Sequence, residues 1–412
     1  MAHLYVATMM HKATVVAFGR GSKAELSKSW YGYALGVLQY VEMGTVKTIG
    51  ILTSGGDAPG MNAAVRAATM VALSQGLRVL GIRRGYRGLL EEQFVELTGR
   101  NVDSIFRDGG TMLHSTRCLE FHKVEFRDKA RAILREHGID GLVVIGGNGS
   151  LAGALALSDP EEGGDLAPKV IGLPASIDND IGLTGMSIGV DTAVNTIVEA
   201  CDKISDTASA HDRTFIVEVM GRHCGYLAMT AGIASGADLV LFPEAGRPPA
   251  EIVESAVKTV LGKRDHLGHV GSTLIIKAEG VEIPTEELKA RLDARLDEEL
   301  GKDVNSIETR VTVLGHVVRG GRPSAFDRLL GARLANVAVR ALLSGATRKM
   351  AAWMPPVELP EEVAERSDFD PYCWLVDLPA TLAETENLLR GNSPLARWRA
   401  SALDNLEDVF SV

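Results

Sequence analysis

Basic residues are in deficit: 43 Lys and Arg face 53 Asp and Glu, giving a net charge of −10 with the ten histidines neutral. A chain with that balance lacks the basic face with which a general nucleic-acid binder neutralises phosphates, so no nucleic acid is expected as a partner. A local cluster of arginines in an acidic chain still permits phosphorylated small molecules. Long apolar runs are missing too. None approaches the roughly 18–20 residues of a membrane span, so no membrane is expected as a partner either. The four cysteines, Cys118, Cys201, Cys224 and Cys373, are scattered and form no Cys-x-x-Cys pair. That spacing supports neither a zinc site nor a disulfide framework and leaves buried free thiols. Aromatics make up only 5% of the chain, against 44 glycines, a balance that favours tight turns and close backbone approaches. The 46% apolar and 23% charged content is that of an ordered globular chain, and 412 residues are enough for two or three domains. A cytoplasmic α/β enzyme fits these limits.

Residues 1–46 read differently from the rest. They contain Met9, Met10 and Met43 and a run of aromatics from Trp30 to Tyr40, without repeated turn–strand–helix punctuation. A basic n-region, an apolar core and a small-residue cleavage site are not found in sequence, so the segment reads as an N-terminal extension rather than a secretory signal. From Lys47 the pattern alternates. Strands are predicted over 48–52, 77–82, 141–145, 169–173, 214–220, 239–242, 272–277 and 310–318. Helices are predicted over 62–75, 126–137, 191–209, 250–262, 285–300 and 325–343. Short apolar runs alternating with helices are the mark of parallel sheets covered on both faces. There are too many strands for one comfortable sheet, so the expectation is two doubly wound, Rossmann-like domains. In such folds ligands bind at the carboxyl ends of the strands, where the glycine-rich loops fall. The tail from 358 is rich in Pro, Glu and Asn, with a surface helix at 382–389 and no evident chemistry.

Three of those loops carry polar chemistry. Thr53-Ser54-Gly55-Gly56-Asp57-Ala58-Pro59-Gly60-Met61-Asn62 follows a strand and opens a helix, which brings backbone N–H groups and the positive helix end to an anion. It is neither a Gly-Lys-Ser/Thr P-loop nor a Gly-x-Gly-x-x-Gly loop. Gly146-Gly147-Asn148-Gly149-Ser150 repeats the arrangement one unit later. Pro174-Ala175-Ser176-Ile177-Asp178-Asn179-Asp180 sets two carboxylates two residues apart, able to divide into a base and a Mg²⁺ partner; an Asp/Asn-rich turn is the plain alternative. Arg117, Arg213, Arg222, Arg310 and Arg319 fall near strand ends, with His223 and His316 nearby. Gathered at one cleft they would fork phosphate oxygens, and loops and arginines together favour phosphoryl transfer between a nucleotide and a sugar phosphate.

Five segments, 51–62 (ILTSGGDAPGMN), 145–150, 174–180, 218–225 (EVMGRHCG) and 313–321 (VLGHVVRGG), resemble in order and spacing the 6-phosphofructokinase family in its bacterial form. The resemblance spans about residues 47–355. It implies the phosphofructokinase fold, a cytoplasmic homotetramer of glycolysis, and transfer of the γ-phosphate of ATP to the 1-hydroxyl of fructose 6-phosphate with Mg²⁺. It implies a nucleotide-binding domain of 47–188 plus 319–357, a sugar-phosphate domain of 189–318 and a C-terminal extension of 358–412. Asp178 matches the family's base, Arg222 the arginine that stabilises transition-state charge, and Ser176 stands for a threonine that contacts the transferred group; Gly55 joins this catalytic set. Asp180 matches a metal-linked carboxylate, with Asn148 beside it. Gly55, Tyr86, Arg117, Cys118, Asn148, Gly149, Ser150 and Gly153 match nucleotide positions. Met220, Gly221, Glu279, His316 and Arg319 match sugar-phosphate contacts. Arg213 and Arg310 match arginines that reach the 6-phosphate from a neighbouring subunit, making the active sites shared.

Departures from the family pattern sharpen the expectations. Gly149 with Ala175 is the pattern of nucleotide users, whereas pyrophosphate-dependent relatives carry aspartate and lysine there. ATP is therefore favoured over pyrophosphate, the alternatives being a pyrophosphate-dependent enzyme or a kinase of a broader range of sugar phosphates. A non-catalytic regulatory subunit has no need of both Asp178 and Arg222. Asn148 replaces an aspartate beside Mg²⁺, and Cys118 and His122 replace an aromatic and an arginine around the nucleotide. At the family's effector site Arg66 remains, but Met70 and Ser205 stand where arginines bind phosphates. Asp238 replaces a glutamate there, and the basic pair near Val270 is missing, so little allosteric control is expected.

Overall fold

A computed structural model describes residues 46–267, 271–300, 308–354, 359–399 and 401. The N-terminal extension up to residue 45, and Val270, lie outside the described residues. Twelve strands form among them: β1 (Thr48–Ser54), β2 (Arg78–Ile82), β3 (Phe94–Glu96), β4 (Gly141–Gly146), β5 (Lys169–Pro174), β6 (Thr214–Val219), β7 (Leu239–Leu241), β8 (Thr273–Ala278), β9 (Thr309–Val313), β10 (Lys349–Trp353), β11 (Ala364–Arg366) and β12 (Cys373–Asp377).

The apolar runs sort themselves by the two-residue period of a strand. In β4 every residue is buried; Leu142 and Val144 enter one apolar cluster while Val143 and Ile145 enter the other, because successive side chains point to opposite faces. Each fully buried Leu, Ile or Val contributes about 1.5–3 kcal/mol, so both faces must be covered, and helices cover them. The first sheet runs β11-β12-β10-β5-β4-β1-β2-β3. Its centre is parallel, whereas β3 at one edge, and β11 and β12 at the other side, pair antiparallel. The second sheet, β7-β8-β6-β9, is parallel throughout. The chain is α/β with mainly parallel sheets, as expected.

Against the first sheet the helix Ala325–Leu343 packs on the helix Met61–Ser74. Gly331 permits this approach, since a Cβ there would lie 3.1 Å from the Gly60 carbonyl oxygen and 3.2 Å from the Ala64 nitrogen. Asp327 of the same helix is buried and accepts from Gly189 N and Thr192 N at 2.7 and 2.8 Å, capping the start of the helix Val190–His211.

Two elements differ from the sequence expectation. The strand predicted over 310–318 stops at Val313, because Gly315 adopts φ +51° and opens a 3₁₀ turn, Gly315–Arg319. The C-terminal tail, for which the sequence predicts only a surface helix at 382–389, holds more structure. It supplies β11 and β12 to the first sheet and the helix Leu378–Leu389, whose Leu378, Thr381, Thr385 and Leu388 are buried. Cys201, Cys224 and Cys373 are buried free thiols, whereas Cys118 is only half-buried. Among the described residues no helix is long and apolar enough to cross a membrane.

Candidate active site

The first two loops meet. Gly55 follows β1 at φ +85°, and a Cβ there would stand 3.1 Å from Ser150 Oγ, so the left-handed turn and the close approach both require glycine. Its carbonyl accepts from the Ser115 hydroxyl at 2.6 Å. After β4, Gly147 leads into the ten-residue helix Asn148–Leu157, whose positive end faces the gap between the loops. A Cβ on Gly149 would meet nothing within 4 Å, so room is left there for something other than protein. Tyr86 is buried and stacks on Phe121 with ring centres 4.1 Å apart. Its hydroxyl donates to the Ser150 carbonyl at 2.6 Å, and burial pushes its pKa well above the usual phenol range. Gly153 fits against this ring, where a Cβ would come within 2.8 Å.

A cleft of about 420 Å³ opens here. Gly55, Tyr86, Arg117, Cys118, Asn148, Gly149, Ser150 and Gly153 all line it, together with Ser176 and Asp180 of the third loop. Cys118 Sγ lies 3.7 Å from Glu120, which Arg87 pairs at 2.8 Å; burial raises the thiol pKa, leaving it protonated. Phe121, Leu119 and Arg127 also line the cleft, and sequence reasoning missed them. Arg127 holds the wall by donating to the Phe121 and His122 carbonyls at 3.2 and 2.7 Å. Leu119 and Phe121 lie in a short 3₁₀ turn that offered no periodicity, and Arg127, in the first turns of the helix Val124–Glu136, read as one more charge on a helix face.

The third loop is tightly braced. Ser176 Oγ donates to Asp180 Oδ1 at 2.6 Å. Asn179 sits at φ +50°, and its side chain donates to the Gly185 carbonyl and accepts from Ser187 N. Asp178 Oδ1, by contrast, is buried and has no hydrogen-bond partner among the described residues. Burial, first, and the Asp180 charge, second, push the Asp178 pKa from 3.8 up to about 6, with Glu279 adding to the rise and Arg319 and Arg222 opposing it. Asp178, Asp180, Glu279, Arg222 and Arg319 therefore share one electrostatic centre.

The second sheet delivers its residues to that centre from strand ends. Met220, Gly221 and Arg222 follow β6; Gly221 takes φ +128° and packs where a Cβ would lie 2.5 Å from the Cys224 carbonyl oxygen. Glu279 follows β8 and donates its N–H to the Val219 carbonyl at 2.8 Å. Arg319, from the turn after β9, donates to the Asp57 carbonyl at 3.3 Å, tying the first loop to the second sheet; His316 is exposed in the same turn. Arg213 and Arg310 lie elsewhere. They stand together at the opposite ends of β6 and β9, both paired with Glu308, and a strand of six residues puts them roughly 20 Å from the Arg222 end. One chain does not bring them to Asp178.

Metal ligation is thin. Among the described residues no group of three or more His, Cys, Asp or Glu side chains is arranged to hold a metal. Asp180 and Asn148, both lining the cleft, suit a hard cation that draws its remaining ligands from phosphate oxygens and water, the usual habit of Mg²⁺. Of the expected effector residues, Arg66 pairs with Asp103 at 3.5 Å, and Asp238 pairs with Lys263 at 2.6 Å.

A family model described as Phosphofructokinase matches residues 48–342. The ATP-dependent 6-phosphofructokinase of Thermotoga neapolitana is 47% identical over 307 residues, covering 74% of this chain and 90% of that protein. That of Clostridioides difficile is 46% identical over 329 residues, 79% of this chain and 96% of that protein. Among solved structures, phosphofructokinase from Saccharomyces cerevisiae superposes with a TM-score of 0.71 at 32% identity, covering 89% of this chain and 48% of that one. This chain thus spans about half of the yeast polypeptide. The pyrophosphate-dependent phosphofructokinase of Marinobacter aquaeolei superposes with a TM-score of 0.65 at 22% identity over 82% of this chain, a likeness of fold.

Proposed function

The chain belongs to the phosphofructokinase family, and we propose the division of labour by which it moves the γ-phosphate of ATP onto the 1-hydroxyl of fructose 6-phosphate, a step of glycolysis. The observation that carries the proposal is the unpartnered, buried Oδ1 of Asp178, whose pKa of about 6 leaves it ionised at neutral pH. It accepts the hydroxyl proton as the sugar oxygen forms its bond to the γ-phosphorus and the bond to the β–γ bridging oxygen breaks, releasing ADP. Arg222 stabilises the charge spread over the equatorial phosphoryl oxygens. Ser176, held by Asp180, contacts the transferred group, and Gly55 leaves its backbone open to it. Tyr86, Arg117, Cys118, Gly149, Ser150 and Gly153 hold the nucleotide, and the open space beside Gly149 leaves room for an α-phosphate.

Asp180 and Asn148 would hold Mg²⁺, which supplies charge neutralisation on the phosphate oxygens. Met220, Gly221, Glu279, His316 and Arg319 bind the sugar phosphate. Arg213 and Arg310 act on the 6-phosphate of a second copy, within a cytoplasmic homotetramer whose sites are shared; their joint position far from their own chain's Asp178 supports this reading. The test is Asp178→Asn, which should lower kcat by about 10²–10⁴-fold with fructose 6-phosphate binding retained. A kcat near that of the parent would overturn the assignment.

A further inference from the structure

Asn179 stands between the two carboxylates of the catalytic loop in a left-handed conformation, φ +50°, which is uncommon for residues other than glycine and which Asn tolerates best. Its carbonyl oxygen belongs to the peptide bond that carries Asp180. That oxygen accepts from a residue 220 positions away, Arg399 Nη1, at 3.1 Å. The same nitrogen lies 3.6 Å from Cys224 Sγ, two residues beyond Arg222, and the guanidinium carbon sits 4.6 Å from the centre of the Tyr226 ring. Arg399 is only 9% exposed. Burying a guanidinium is costly unless its protons and its flat face are used, and here they are used on the loops that hold Asp178 and Arg222. Burial raises the Cys224 pKa to about 12, so its sulfur meets Arg399 as a neutral thiol.

The rest of the C-terminal segment follows the same path. Thr385 Oγ1 accepts from Gly182 N at 2.8 Å, and Leu388 and Leu395 pack with Cys224 against Tyr226. The two loops it touches come from different sheets, one after β5 and one after β6. Their mutual placement decides how far the base lies from the charge-stabilising arginine.

We infer that Arg399 is a positioning residue for phosphoryl transfer, fixing from the C-terminal segment the peptide between Asn179 and Asp180 against the turn at 222–224. The inference rests on the roles proposed for Asp178 and Arg222 and extends them to a residue remote from the substrate. A misplacement of about 1 Å in such a site lowers the rate by about 10²-fold.

The test uses full-length Arg399→Ala and Arg399→Lys proteins, measured for kcat, for KM with fructose 6-phosphate and with ATP, and for thermal unfolding. Arg399→Ala should lower kcat about 10- to 100-fold with both KM values within about threefold of the parent, the pattern of a contribution made in the transition state. Arg399→Lys keeps the charge and a donor but loses the planar stack on Tyr226, and should recover part of that loss. A kcat for Arg399→Ala within about twofold of the parent, whatever the unfolding temperature, would overturn the inference, as would raised KM values with kcat unchanged. If the alanine protein does not fold, the lysine protein decides: a several-fold loss of kcat at parental unfolding temperature supports the role, and parental kcat overturns it. Asp178→Asn in the same assay separates the two assignments. Parental kcat there removes the base, whereas a loss at Asp178 with parental kcat for both Arg399 variants removes only Arg399.

Discussion

Asp178→Asn should make the protein more stable while nearly abolishing turnover. The carboxyl pKa moves from 3.8 to about 6 on folding because burial and the Asp180 charge disfavour its ionised form. That move corresponds to about 3 kcal/mol of stability lost at neutral pH. The sign follows from where each state ionises. Below about pH 4 the carboxyl is protonated folded or unfolded and Asp178 costs nothing. Between about pH 4 and pH 6 the unfolded chain ionises first, so stability falls as pH rises; above pH 6 the deficit is constant. The amide of Asn cannot ionise, so the gap in stability between variant and parent should open across that window and level off above it. The new amide must also find partners in a buried place, which reduces the gain to about 2 kcal/mol or less. At an unfolding entropy of about 2.1 cal/mol/K per residue, a gain of about 2 kcal/mol raises Tm by roughly 2 °C at pH 7.5. Urea unfolding at pH 4.5 and 7.5, for both proteins, measures the gap. An equal gap at the two pH values would refute the argument, because it would mean the carboxyl ionises alike in the folded and unfolded chain. The same ionisation predicts that kcat of the parent falls as pH drops through about 6, where the base becomes protonated.

Mixing Arg310→Ala with Asp178→Asn protein under conditions that exchange subunits should restore activity that neither has alone; verified hybrids without activity would place both arginines outside any shared site. Asn148→Asp should lower the Mg²⁺ concentration for half-maximal rate by roughly 30-fold, the equivalent of about 2 kcal/mol for one negative charge added about 4 Å from a divalent cation in water-like surroundings, and Asn148→Ala should raise it. Superimposable Mg²⁺ titrations would make Asn148 a turn residue only. The fructose 6-phosphate saturation curve should shift by less than about twofold with ADP or phosphoenolpyruvate, because Met70 and Ser205 cannot act as phosphate-binding cations; a several-fold shift would show another effector site.

The central strands were legible because they are buried on both faces. In β1, β4 and β5 nearly every residue is buried and each holds a run of Ile, Leu or Val; a glycine-rich loop marks the ends of β1 and β4, and an Asp/Asn-rich loop the end of β5. β3, β11 and β12 were not legible, being antiparallel strands of three to five residues at the two sides of the first sheet, too short to show a period of their own. The 310–318 run reads as one apolar strand, and only the φ of Gly315 reveals its break. The nucleotide cleft was legible residue by residue through the loops and the family resemblance, apart from Leu119 and Phe121, which arrive from a short 3₁₀ turn, and Arg127, which lies in a predicted helix but carried no sign that it faces the cleft. Arg399 carried no signal at all. Its contacts with Asn179 and Cys224 join positions that are about 175–220 residues apart, and a lone arginine in a tail resembles any solvated charge.

The donor and the acceptor atom are best fixed together by following phosphorus. Purified full-length protein with Mg²⁺ and fructose 6-phosphate, supplied separately with γ-labelled ATP and with labelled pyrophosphate, would be read by the position of label in the product. The expected result is fructose 1,6-bisphosphate labelled at the 1-phosphate from ATP, with little or no product from pyrophosphate. Turnover with pyrophosphate in preference to ATP, or label at any other position of the sugar, would contradict the account.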